Sequence, residues 1–263
     1  MIVSRLELNP RSRRVARDLA DCQELHRTVL SAFPQAAGGS ARQRFGVLFR
    51  IEYCRGAPPV LLIQSHENPD FSALPGDYLA QPPTSKDIGE AWRGIAHGCV
   101  CRFRLRANPT RKIETKSGPG GARRNGRRVE LKTEEEQLNW LARKSRESGF
   151  EILSMRAAAE YPDVWVSAEG KVSGSRGLPD SAGSTPRLTF ASVLFNGKLR
   201  VTDVERFRAA LERGIGSAKG YGFGLLSVAR ARDLVQPAPQ SSCYQPATDD
   251  SVPTPGSHLD TSR

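Results

Sequence analysis

The chain has 263 residues, 38% of them hydrophobic, with 39 Lys and Arg against 28 Asp and Glu for a formal charge of +11. That length and apolar content suit one large domain or two of about 100 residues each, and the cationic surplus points to a polyanionic partner, nucleic acid first. No apolar run approaches the ~20 residues needed to span a bilayer, so a spanning segment is not expected.

Residues 1–8 alternate like a strand and lack the apolar stretch of a secretory signal, which predicts a cytoplasmic protein. Asp21 and Glu24 have the spacing of an acidic capping box, in which side chains satisfy the free amides at a helix start. The helix predicted from there toward Phe33 buries Cys22, Leu25, Val29, Ala32 and Phe33 as one stripe, with Gln23 and His26 beside it on a shared surface. Residues 45–51 and 59–64 read as strands separated by a turn at Gly56-Ala57-Pro58. Residues 68–94 scatter Pro, Gly and acids with weak periodicity, and a first domain, 1–92, is expected to end within them.

Further on, Cys99, Cys101, Phe103, Leu105 and Ala107 occupy one face of a predicted strand, and Arg102, Arg104 and Arg106 the other, aiming three guanidiniums together. From Arg102 to Arg128 the chain holds ten Lys or Arg and one acid, Glu114. Residues 112–128 include Gly118, Pro119, Gly120 and Gly121 and read as a mobile basic loop suited to a phosphate backbone. Arg111, Lys112, Arg123, Arg124, Arg127 and Arg128 are its candidate contacts. A solvated surface loop is the plainer alternative, but ten cations with one acid favour nucleic acid.

Thr133 with Glu136 repeats the capping box, and the helix carried by Leu138 and Leu141 should end near Gly149. A hairpin is expected next, with Asn196-Gly197 as a tight turn between strands at 188–195 and 198–201. A helix from about Asp203 to Arg213 then leads into GIGSAKGYGFGLLSVA, which enters a strand at 225–229. Gly214, Gly216, Gly220, Gly222 and Gly224 let the backbone approach a ligand, and successive amides with Lys219 can hold phosphate oxygens. A flexible connection is the alternative. A dinucleotide fingerprint is rejected, because that motif follows a strand and opens a helix.

The element order predicts an α+β fold of two tandem ferredoxin-like βαββαβ domains, the second spanning 93–232, followed by a Pro-rich, polar tail at 233–263 that should be disordered. Of the histidines at 26, 66, 97 and 258, only His26 falls on a well-defined predicted helix. The cysteines at 22, 54, 99, 101 and 243 form no CxxC pair and read as reduced thiols. His97 with Cys99 and Cys101 falls short of a closed zinc site, since both thiols belong to the apolar face of a strand. No metal site and no cofactor are expected.

Three blocks then resemble the CRISPR-associated CasE family, the type I-E endoribonucleases that process pre-crRNA. They are Ser4 to Pro10 with Arg17-Asp18-Leu19-Ala20 and Glu24-Leu25-His26-Arg27-Thr28, the segment Arg102-Phe103-Arg104-Leu105-Arg106-Ala107-Asn108-Pro109, and the glycine-rich motif. The resemblance covers residues 1 to about 230. It implies a tandem ferredoxin-like protein that binds the stem-loop of a CRISPR repeat transcript and cuts at the 3′ base of the stem. The RNA 2′-hydroxyl is the nucleophile, leaving a 2′,3′-cyclic phosphate and a 5′-hydroxyl without a metal, and the mature crRNA stays bound within the Cascade antiviral complex with its other protein subunits. His26 matches the family's catalytic histidine, and imidazole, with an unperturbed pKa near 6.5, suits proton transfer. Family members commonly place a tyrosine three residues earlier, where this chain has Gln23; glutamine can orient a phosphate or hydroxyl but exchanges no proton. Tyr221 is a candidate substitute. Arg27, Arg102, Arg104, Arg106, the basic loop and the glycine loop with Lys219 are the expected RNA contacts. A non-catalytic RNA-hairpin-binding or scaffolding subunit, favoured by the missing tyrosine, is the alternative.

Overall fold

The N-terminal alternation becomes strand β1 (Ile2–Glu7), which buries Leu6 and turns Arg5 outward. A computed structural model describes residues 1–34, 41–113, 127–155, 161–175 and 187–231; the tail at 233–263, together with Arg123 and Arg124, lies outside them. After β1 come α1 (Arg13–Ala20), α2 (Cys22–Leu30), α3 (Ala41–Arg44), β2 (Leu48–Glu52), β3 (Val60–Ser65), β4 (Thr84–Asp87) and α4 (Gly89–Arg93). The second half adds β5 (Val100–Ala107), β6 (Thr110–Ile113), β7 (Arg127–Glu130), α5 (Glu134–Glu147), β8 (Phe150–Ile152), β9 (Val164–Ser175), β10 (Arg187–Val201) and α6 (Val204–Arg213). A single 3-10 turn (Lys219–Tyr221) and β11 (Leu226–Arg230) complete it.

The first sheet is antiparallel with order β2-β3-β1-β4, and the second runs β11-β5-β10-β8, with β9 also paired to β10. With the β6-β7 ladder and β9 set aside, the strands of each half follow the order fourth, first, third, second. This is the arrangement of a ferredoxin-like βαββαβ unit, so the fold is α+β with two such units in tandem. One apolar core gathers Leu6, Leu25, Val29, Phe49 and Ile63 beneath α1 and α2; a second gathers Phe103, Leu105, Trp140, Phe195 and Phe207 beneath α5 and α6. The capping box of α5 is complete: Thr133 accepts from the Glu136 amide, and the Glu136 carboxylate reaches back to the Thr133 amide.

Three sequence expectations are corrected. Asn196-Gly197 is not a turn but lies inside the continuous strand β10, opposite Arg104 and Phe103 on one side and Trp165 and Val164 on the other. Glycine is required there because a side-chain carbon would collide with the Asp163 carbonyl oxygen and crowd the Phe103 ring. The basic segment after β5 is not loop throughout, since Thr110–Ile113 and Arg127–Glu130 pair as an antiparallel ladder that carries Arg111, Lys112 and Arg128. Helix α1, visible in the sequence only as part of a family-like block, is an extra element ahead of α2; its buried Asp18 accepts from the Tyr78 hydroxyl at 2.9 Å.

The two sheets are clamped through Arg50, only 2% exposed although it is a cation. Its guanidinium donates to the Leu225 carbonyl at 2.9 Å and the Ser227 hydroxyl at 3.0 Å, and pairs with Glu52 at 2.6 Å. Glu52 pairs in turn with Arg104. Burial alone would raise the Glu52 carboxyl, but Arg50 and Arg104 outweigh it and hold it below the usual range. Gln64 adds a buried hydrogen bond to the Leu211 carbonyl at 2.9 Å, fixing β3 against the end of α6.

Candidate active site and nucleic-acid interface

Asp21 sets the position of α2. Its carboxylate accepts from the amides of Gln23 at 2.8 Å and Glu24 at 3.3 Å, and also from the Ser175 amide at 2.9 Å, so one side chain caps the helix and ties it to the end of β9. Burial opposes ionisation, but these amides prevail and the carboxyl lies below its ordinary value. The reciprocal half of the predicted capping box is absent, because Glu24 turns to Arg17 and Arg27 instead. The stripe of Cys22, Leu25, Val29, Ala32 and Phe33 is buried as expected, and Gln23 and His26 sit half-buried beside it.

The glycine-rich segment closes on α2. The Ile215 amide donates to the Gly224 carbonyl and the Gly224 amide to the Arg106 carbonyl, at 2.9 and 2.8 Å, pinching the segment into a ring. Gly214 and Gly224 hold positive φ, and a side chain on either would strike backbone across the pinch. The ring brings Tyr221 beside His26, with centroids 5.6 Å apart, while Phe190 stacks on the far side of Tyr221 at 5.0 Å. A side-chain carbon at Gly220 would sit 3.3 Å from Cε1 and 3.4 Å from Nδ1 of His26. Nδ1 is buried without a hydrogen-bond partner among the described residues. Burial, reinforced by the Arg42 and Arg27 guanidiniums, holds the imidazole below its ordinary pKa against a smaller opposing influence of the Gly220 backbone. The neutral, proton-accepting form is thereby favoured near pH 7.

A cleft of about 540 Å³ is lined by Arg111, Lys112 and Arg128 of the ladder, Arg143 and Lys144 of α5, Arg206 and Arg213 of α6, and Lys219 of the glycine ring. Glu147 is its one lining acid. Burial, followed by the charges of Arg42, Arg213 and Lys144, lowers the Lys219 ammonium from its usual value. Among the described residues none forms an ion pair with Arg42, Arg213 or Lys219 within 4 Å. Lys219 lines this cleft while its chain neighbour Gly220 packs against His26, which links the cleft to the histidine.

The other expected contacts divide sharply. Arg102 is exposed, but Arg104 bonds Asn196 and Glu52, and Arg106 is buried in a two-pronged pair with Glu169 at 2.6 and 2.8 Å. The three guanidiniums share one strand face as predicted, yet none of them lines the basic cleft: Arg104 turns to Glu52 of the first half and Arg106 to Glu169 of β9. Gly214, Gly222 and Gly224 are buried, so they shape the ring rather than offer amides to a ligand; Gly216 and Gly220 remain partly open. Arg27 is exposed beside Glu24. The side chain of Arg127, like Arg123 and Arg124, lies outside the described residues. Sequence reasoning missed Arg42, Arg143, Lys144 and Arg213. The last three belong to helices whose polar faces read as ordinary solvated surface, and Arg42 sits in a one-turn helix with no periodicity to flag it.

Known proteins resemble this chain in sequence and fold. The sequence family described as CRISPR associated protein matches residues 1–230. The CRISPR-associated endoribonuclease Cse3 of Thermus thermophilus is 38% identical over 233 residues, covering 87% of this chain and all of that protein. The Cascade subunit CasE of Escherichia coli is 33% identical over 134 residues, half of this chain and 59% of its own. A solved structure of the endoribonuclease Cse3 bound to a 19-nucleotide RNA superposes with a TM-score of 0.70 at 37% identity, covering 87% of this chain and all of that one.

Proposed function

The chain belongs to the CRISPR-associated CasE family, and from that premise we propose that it is the endoribonuclease that binds the repeat stem-loop, cleaves pre-crRNA and stays as a Cascade subunit. The observation that carries this reading is a half-buried histidine packed against the glycine ring, whose Lys219 lines a cleft of eight cations and one acid. The stem lies along the cleft, gripped through its phosphates by Arg111, Lys112, Arg128 and Lys219, since duplex RNA is held mainly by shape and backbone. His26 takes the proton of the 2′-hydroxyl or delivers one to the departing 5′-oxygen, worth about 10²- to 10⁴-fold in rate. Gln23, one helical turn before it, orients the reacting groups. The catalytic helix belongs to a first domain, 1–92, and the cleft and glycine ring to a second, 93–232. No helix among the described residues is long and apolar enough to cross a membrane, and the protein works in the cytoplasm, where the transcripts arise.

Cleavage is tested on a stem-loop RNA transcribed from the repeat of the CRISPR array encoded with the protein. Activity is expected to persist in excess EDTA and to vanish when the nucleotide before the scissile phosphate is 2′-deoxy, with a cyclic phosphate on the product. A metal requirement or cleavage of the deoxy substrate overturns the mechanism. The rival reading, a hairpin-binding subunit that does not cut, draws on Gln23 standing where the family has tyrosine, and the same assay separates the two.

A further inference from the structure

Arg42 takes no part in the steps above, and its surroundings are unusual for an arginine. It sits in α3, held by the bond from the Val47 amide to its carbonyl at 2.8 Å, and α3 runs straight into Phe45, which stacks on Phe33 just beyond the end of α2 at 5.7 Å. The side chain is half-buried. Burial lowers its pKa, and it raises the electrostatic cost of both His26 and Lys219. His26 and Arg42 meet at Gly220: a side-chain carbon there would lie 3.3 Å from the imidazole and 3.7 Å from Cδ of Arg42.

A half-buried guanidinium that bears on a lysine, with no carboxylate of the described residues within 4 Å, is unfavourable in the free protein. Ordinary packing would surround it with an acid, as happens to Arg50, Arg104 and Arg106. An arrangement that lacks the internal anion suits an external one. We propose that Arg42 binds the scissile phosphate and stabilises the charge that develops on it, acting as a catalytic residue beside His26.

The proposal rests on the endoribonuclease reading and assigns the group that reading leaves open. In the step concerned, the 2′-oxygen forms a bond to phosphorus while the bond from phosphorus to the 5′-oxygen breaks. One proton leaves the 2′-hydroxyl, one arrives on the 5′-oxygen, and the five-coordinate phosphorus gathers an added negative charge on its non-bridging oxygens. A guanidinium presents fixed, paired donors to such oxygens, and being charged beforehand it needs no reorganisation. A side-chain carbon at position 220 would contact both the imidazole and the Arg42 stem, so glycine leaves the space between base and cation open.

The test compares wild type, Arg42→Ala and Arg42→Lys in single-turnover cleavage of the array's repeat stem-loop, with a phosphorothioate placed at each non-bridging position of the scissile phosphate. Arg42→Ala is expected to slow cleavage about 10²- to 10³-fold, the scale of losing one transition-state donor, with hairpin affinity within about threefold. Arg42→Lys should recover part of the rate. Wild type should prefer one thio diastereomer, and Arg42→Ala should lose that preference, which a merely structural residue would not change. Wild type that cuts while Arg42→Ala cuts equally well, or retains the same diastereomer preference at a reduced rate, overturns the role of Arg42 and leaves the endoribonuclease reading standing. Wild type that cuts no repeat hairpin overturns both. Should the alanine variant unfold, the lysine variant decides alone: a folded Arg42→Lys with an unaltered rate and unaltered thio preference sinks the proposal.

Discussion

The seam between the sheets and the pocket around His26 use the same side chain in opposite ways. At the seam, Arg50, Arg104 and Arg106 close ion pairs with Glu52 and Glu169, and Arg50 adds two backbone carbonyls and a hydroxyl. At the pocket, the charges of Arg42 and Arg213 both bear on Lys219, and no described residue forms an ion pair with any of the three. A buried charge that is fully bonded specifies one arrangement of two bodies and has no bond left to give a ligand. A crowded charge left unpaired destabilises the free protein slightly and is discharged by a polyanion. The cations at the seam therefore build the molecule, and those at the pocket are the ones we propose it offers to RNA.

The largest expected effect breaks the pocket. His26→Ala is expected to cut the single-turnover rate by about 10²- to 10⁴-fold while hairpin affinity stays within about threefold, because the imidazole moves protons and holds no phosphate. Equal losses in binding and cleavage, read by filter binding alongside cleavage, would contradict this. The pH profile has a definite sign. Burial, with Arg42 and Arg27 facing the ring, lowers its pKa, so base-form activity should extend below the ordinary value of about 6.5 before protonation removes it.

The seam gives the next effect, and in the opposite observable. Glu52→Ala leaves Arg50 buried beside Arg104 without its carboxylate, which costs about 3–5 kcal/mol of stability by the usual measure of a broken buried pair. Urea unfolding should show it, while the cleavage rate per folded molecule stays within about threefold. A variant that unfolds normally but no longer cuts would mean that the seam and pocket are not separate devices.

Weaker still is the effect of thinning the cleft. Replacing Arg111, Lys112, Arg128 and Arg213 with Gln together should lower affinity and reduce the slope of log affinity against log salt by roughly 0.7–0.9 for each phosphate the variant no longer neutralises. Cognate and scrambled hairpins should weaken alike, since these side chains read backbone and not base edges. An unchanged slope would remove the cleft from the RNA path.

Much of this was legible in the sequence wherever a local rule and the tertiary fold agree. The caps at Asp21 and Thr133, the helix from about Asp203, the buried stripe of α2 and the alternation of β5 all reappear in place. The failures share a cause. Asn196-Gly197 has turn chemistry, but the glycine serves a close approach to Asp163 that only the neighbouring strand reveals. Arg104 and Arg106 alternate as exposed residues would, but the surface they face is closed by the other sheet through Glu52 and by β9 through Glu169. Strand period tells which face a side chain takes and says nothing of what covers that face. Arg42 is the converse: a one-turn helix has no periodicity, and its importance comes only from landing beside Gly220.

The smallest expected effect concerns what stands in for the missing phenol. Tyr221 lies 5.6 Å from His26 between centroids and is stacked on Phe190, so its hydroxyl arrives from the glycine ring rather than from α2, where Gln23 occupies the position one turn before the histidine. If that hydroxyl hydrogen-bonds the reacting phosphate, Tyr221→Phe should slow cleavage about tenfold or less, the size of one hydrogen bond to a charged group, with unfolding unchanged because the ring keeps its stack. Gln23→Tyr alone should then change the rate by less than about threefold, the function being already supplied. The double variant decides. When two groups serve one role their effects are not additive, so Gln23→Tyr placed on the Tyr221→Phe background should restore a large part of the missing rate, whereas strictly multiplicative effects would show that the ring hydroxyl and position 23 act on different steps and that neither replaces the other.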